Sequence, residues 1–127
     1  MVVPILRRSE FLIATIQSAL SDSGLVNLRD ALIEQVGRYR SRGVIIDLTA
    51  LDVLDSFASR TFRDLAYMVR LRGARTVMVG LQPEVAFAMA QLGITLENVT
   101  TALDVEEGIA YLAQTGANSG GQRGARA

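Results

Sequence analysis

Val44–Phe57 reads VIIDLTALDVLDSF. Its opening, Val44-Ile45-Ile46-Asp47-Leu48, is an almost unbroken apolar run, the pattern of a strand covered on both faces. At Asp55-Ser56 the strand reading gives way to an amphipathic helix. A second apolar run, Thr76-Val77-Met78-Val79, follows that helix. Strand, helix and strand joined by a right-handed crossover place the two strands parallel in one sheet, which makes the fold α/β. The residues between the first strand and the helix then lie at the carboxyl edge of the sheet, where open α/β folds carry their sites. Ser56 falls at the N-cap or first helical position, its hydroxyl near unpaired backbone N–H groups.

Working outward, Val2 to Leu6 and Phe11 to Ile16 are β-rich runs separated by Arg7-Arg8-Ser9-Glu10, a link that suits an antiparallel hairpin. Ser21-Asp22-Ser23-Gly24 marks a turn and helix start. Leu25, Leu28, Leu32, Val36 and Tyr39 then recur at spacings of three and four, one stripe of a helix that Gly43 is expected to end. Beyond the second strand, Gly80-Leu81-Gln82-Pro83 breaks the chain and Pro83 suits the first turn of a helix through Met89 and Leu92, with Gly93 at its C-cap. Asp104 with Glu107 resembles a capping box for a last helix, Val105 to Ala113. Residues 115–127, TGANSGGQRGARA, hold four glycines and almost nothing apolar. They read as a flexible tail, which leaves residues 1–114 as the domain.

The 127 residues fit one core, and half of them are hydrophobic. Thirteen arginines balance thirteen acids, so no broad field draws the chain to nucleic acid or anionic lipid. The absences exclude more. With no Cys, His or Lys, the chain has no disulfide or thiolate zinc site, no Ser-His-Asp triad, no Walker-type phosphate loop and no Schiff base. No run of about 18 apolar residues offers a membrane span. Pro4, Arg7, Arg8 and Glu10 interrupt any leader, so the expected location is the cytoplasm.

Three blocks, VIIDLTALDVLDSF at Val44–Phe57, GARTVMVGLQPEVA at Gly73–Ala86 and LGITLENVTTALDVEEGI at Leu92–Ile109, resemble in order and spacing the STAS domains of anti-sigma-factor antagonists. The resemblance is closer still to the RsbS-type scaffold of bacterial stressosomes, and it covers about residues 3 to 113. It implies a STAS (SpoIIAA-like) fold with a mixed sheet of four to five strands and about four helices. It also implies a non-enzymatic function without cofactor or metal. In such scaffolds the serine of the Asp-Ser-Phe step is phosphorylated by an RsbT-type serine kinase, which is held before modification and released after it. Here that serine is Ser56. The implied partners are that kinase and RsbR-type STAS sensor paralogues, assembled into a large hetero-oligomer.

Around Ser56, the resemblance and the spacing make Asp55, Phe57 and Arg60 the expected partner-binding residues. Arg60, one turn on, is placed to offset a new phosphate. Ser59 is a second hydroxyl three residues beyond, read either as an alternative acceptor or as a surface polar residue. Two other functions stay open from sequence alone. One is a free SpoIIAA-type antagonist binding an anti-sigma kinase; the Phe57-Ala58 continuation favours the scaffold branch instead. The other is a small hydrolase using Asp47, Asp52 and Asp55, although no oxyanion-hole glycine motif accompanies those acids.

Overall fold

The computed structural model describes residues 3–91 and 98–126, with side chains as far as Thr115. A two-residue turn at Ser9-Glu10, with Ser9 at φ 57°, joins β1 (Ile5–Arg8) to β2 (Phe11–Thr15) as an antiparallel hairpin, Ile5 opposite Ala14 and Arg8 opposite Phe11. The hairpin is as expected, but β1 starts later and includes both arginines. Phe11 through Ala14 are buried, and the exposed Arg7 and Arg8 extend the pairing along an edge strand that tolerates charge.

Ser21, extended at φ −65° and ψ 164°, caps α1 (Asp22–Tyr39) by accepting from Gly24 N at 3.1 Å. Leu25, Leu28, Leu32 and Val36 form its buried stripe. The helix ends at Arg40, in the left-handed region at φ 52°, with the Arg40 and Ser41 N–H groups both directed at Val36 O. Gly43, expected to end it, is instead the first residue of β3 (Gly43–Asp47). Its lack of a side chain serves packing: a Cβ there would lie 2.5 Å from Leu112 Cδ1.

After β3 come α2 (Ser56–Leu71), β4 (Arg75–Val79), α3 (Pro83–Gln91), β5 (Val99–Ala102) and α4 (Val105–Arg126). Pro83 opens α3 as expected; Leu92 and Gly93 lie outside the described residues. Glu107 N donates to Asp104 Oδ1 at 2.8 Å, while Glu107 Oε1 accepts from Leu103 N at 3.2 Å, so the last helix is capped reciprocally. That helix continues past Ala113 to Arg126; once a ladder is nucleated, each added residue closes one more bond.

The strands lie in the order β1-β2-β3-β4-β5, antiparallel at the first pair and parallel at the other three. Period-2 alternation divides β3 between two cores. Val44 and Ile46 join the larger one under α1, α2 and α3, and Ile45 joins Phe11, Ile13, Val77, Val79 and Leu112 under α4. Among the described residues this is a five-stranded mixed sheet with four helices, the architecture implied by the resemblance. Among the described residues no helix is long and apolar enough to cross a membrane.

Candidate functional site

The loop from β3 to α2 is irregular but pinned at intervals. Asp47 Oδ1 accepts from Thr49 N at 3.0 Å and Thr49 Oγ1 at 2.6 Å, an Asx-type turn that bends the chain at the strand's end. Leu48, Leu51 and Leu54, three residues apart, are all buried, and Leu51 N donates to Leu48 O at 2.9 Å. From the next loop, Gln82 Nε2 donates to Thr49 O at 2.8 Å. Gly80, at φ 71°, makes this approach possible, since a Cβ there would collide with Thr49.

That anchored loop delivers Asp55 in an extended conformation, φ −78° and ψ 176°, as the N-cap of α2. Its Oδ1 accepts from Ala58 N at 2.7 Å, a short charge-assisted bond. Ser56 is therefore the first helical residue, partly exposed, and Asp55 holds the backbone on which it stands. The two residues are thus adjacent with different parts in the step: a carboxylate satisfies the helix start, and a partly exposed serine follows it. Asp52 is exposed, as is Val53 at 68%. A cleft of about 80 Å³, lined by Leu20, Leu25, Leu51, Val53, Leu54 and Asp55 among others, opens beside the cap.

The expected partner-facing residues separate. Asp55 and Arg60 are exposed, and Arg60 makes no ion pair among the described residues. Phe57 is half-buried and packs against the larger core, so only part of its ring faces outward. Ser59 requires a correction, because it is neither a surface residue nor an accessible acceptor. It is fully buried, and its Oγ has no hydrogen-bond partner among the described residues. The buried arc of α2 runs through Phe62, Leu65, Ala66 and Val69. Extending that 3.6-residue stripe back one turn lands on Ala58 and Ser59, so the burial of Ser59 has a trace in the sequence pattern.

The acids invoked for hydrolysis are committed elsewhere, Asp47 to its turn and Asp55 to its cap. Among the described residues no three Asp or Glu side chains group closely enough to hold a metal ion. Neither the cap at Asp55 nor the anchoring by Thr49, Leu51 and Leu54 carries a strong signal in the sequence; the three-residue leucine spacing is its visible trace.

Comparison with known proteins places this geometry. The family model for the STAS domain matches residues 3–108. RsbT co-antagonist protein RsbRA of Bacillus subtilis (strain 168) is 33% identical over 82 residues, which cover 65% of this chain and 30% of that protein. The chain spans less than a third of the length of the curated relatives it matches. Among solved structures, a serine-to-glutamate variant of Moorella thermoacetica RsbS superposes with a TM-score of 0.81 at 27% identity, covering 91% of this chain and 97% of that one. A chain from the molecular architecture of the stressosome, described as a signal integration and transduction hub, gives 0.74 at 25% identity, covering 89% and 98%.

Proposed function

The chain belongs to the STAS-domain family, and from that premise we propose that it is a non-enzymatic phospho-switch scaffold of a cytoplasmic stressosome. In this reading it holds an RsbT-type serine kinase, co-assembles with RsbR-type paralogues, and lets the kinase go when Ser56 is phosphorylated. The observation that carries the proposal is the partly exposed Ser56 at the first position of α2, held at the carboxyl edge of the sheet by the Asp55 cap. Two likenesses support it: RsbRA bears the name of a co-antagonist of RsbT, and RsbS resembles this chain over nearly its full length.

The electrostatics of such a switch are local. A phosphate brings about −1.5 to −2 charges to a helix start whose dipole favours an anion by only about 0.3 to 1 kcal/mol. Asp55 is adjacent and Asp52 lies in the same loop. Unit charges about 5 Å apart repel by roughly 3 kcal/mol at an effective dielectric of 20, and by under about 1 kcal/mol in bulk water. The phosphate therefore leaves the fold nearly unchanged and alters the surface a partner meets. A mismatch of about 1.4 kcal/mol across that surface already weakens binding tenfold.

Incubation with the cognate kinase and ATP, followed by mass spectrometry, tests the assignment. Label is expected on Ser56, absent in Ser56→Ala and retained in Ser59→Ala. Kinase co-purification should survive Ser56→Ala and fail with Ser56→Asp. Phosphate found elsewhere, or equal retention by the Asp variant, would refute the switch.

A further inference from the structure

The loop that carries Ser56 is tied to its neighbours at the carboxyl edge of the sheet. Leu48 N donates to Val79 O at 2.9 Å and Gln82 Nε2 to Thr49 O at 2.8 Å, while Gly80 N donates to Ala102 O at 3.2 Å. The segments that follow β3, β4 and β5 are thus joined side by side. The last of them is closed by the reciprocal cap, in which Glu107 accepts from Leu103 N and donates its own N–H to Asp104. Beyond the ends of β4 and β5 lies a cleft of about 540 Å³, with Leu81, Pro83 and Ala86 on the α3 side and Ala102, Leu103 and Glu107 on the α4 side. Its lining is mostly apolar, and Leu103 stands 80% exposed beside it.

Charge around this cleft has one sign. From Thr76 to Thr115 the sequence has no Arg and no Lys, against Glu84, Glu97, Asp104, Glu106 and Glu107. Glu106 is paired with Arg8 at 3.1 Å, whereas Glu84, Asp104 and Glu107 are exposed and make no ion pair among the described residues. Helix capping and dipoles explain where those acids sit. They do not explain why no cation accompanies them. Bare helix starts draw anions, but the carboxylates flanking this cleft reverse that preference, and no cationic side chain lines it to hold a phosphate. The complementary occupant is apolar in the middle and positive at its flanks.

We infer, on the reading proposed above, that the cleft anchors the kinase by taking an apolar side chain from a kinase segment flanked by arginine or lysine. A specific interface covers about 800 Å² on each partner, so a kinase held at Ser56 extends past the first turn of α2. The tied loops make the cleft part of the same surface. Affinity across such surfaces comes from a few side chains seated in preformed pockets, and the charged rim sets encounter rate and choice of partner. The cleft supplies holding, and Ser56 supplies release.

Binding of the cognate kinase to the full chain, with the kinetics of Ser56 phosphorylation, tests this. Ala86→Trp fills the cleft from an exposed helix position. It is expected to weaken kinase binding at least tenfold and to raise KM by a similar factor with kcat unchanged. Leu103→Arg repeats the test at a residue outside the core and should weaken binding comparably. Glu84→Arg should flatten the fall in affinity between about 20 and 500 mM salt. The same losses are expected in a Ser56→Ala background, where no phosphate forms on that residue. A folded Ala86→Trp or Leu103→Arg protein that binds the kinase as the wild type does, or an affinity indifferent to salt, overturns the inference and leaves the Ser56 switch standing. A wild type that neither holds the kinase nor is labelled on Ser56 removes the proposed function and this occupant with it. Variants that alter sedimentation of the chain but not kinase binding assign the cleft to a second copy, which also overturns the inference.

Discussion

Replacing Asp55 by Ala isolates the contribution of the cap to the site. The 2.7 Å bond from Ala58 N is lost, and with it the carboxylate at the positive end of the α2 dipole. Loss of an N-cap to Ala costs about 0.5 to 2 kcal/mol, and an exposed dipole interaction about 0.3 to 1 kcal/mol. The two overlap, so about 1 to 2 kcal/mol is expected in total. For a domain of this size each kcal/mol moves the melting point by about 3 to 5 °C, hence a fall of about 3 to 10 °C. Asp55→Asn keeps an acceptor in the cap and loses only the charge, so its fall should be under half as large. Calorimetry measures both, and kinase retention, measured in parallel, separates cap from contact. If the kinase reads the carboxylate directly, Asn and Ala lose binding alike; if Asp55 only positions Ser56, Asn retains it. An Asp55→Ala protein melting with the wild type would refute the account of how Ser56 is held.

Ser59→Ala removes a buried hydroxyl with no partner, whose desolvation costs about 1 to 3 kcal/mol. A net gain of about 0.5 to 1 kcal/mol after lost contacts is expected in urea unfolding, with labelling of Ser56 unchanged. Gly43→Ala drives a methyl into Leu112 and should destabilise by about 1 to 3 kcal/mol; pairing it with Leu112→Ala should give a smaller loss than the sum of the two single changes, measured as a double-mutant cycle. Ser21→Ala removes the α1 cap at about 1 kcal/mol and should leave kinase binding intact, a control for the Asp55 variants.

Local chemistry was legible in the chain. The β3–α2–β4 crossover, the caps at Ser21 and Asp104, Pro83 at the start of α3 and the position of Ser56 all follow from backbone preferences and hydrophobic period, which act over a few residues. Where reading failed, the deciding partner lay far away in sequence. Gly43 looks like a helix stop until Leu112, 69 positions on, is found against it. β5 has little strand signal of its own, since Val99–Ala102 is only four residues long and mostly half-exposed. It is a strand because β4 offers it a ladder. Ser59 lies on the buried arc because α2 turns that side to the core, a choice made by packing against the sheet and α1.

The same division holds for the candidate site and for the distribution of charge. Residue order alone placed a hydroxyl beside a carboxylate at a strand-to-helix step, because capping is satisfied within one turn of chain. Tertiary structure decided that Ser56 is partly exposed while Ser59 is buried. It also set the helix starts, with Asp22, Asp55, Glu84 and Asp104, at one edge of the sheet and the helix ends, with Arg38 and Arg70, at the other. A zero net charge carries no trace of that separation, since charge sums are blind to direction and only the parallel pairing of the strands gives the molecule two ends.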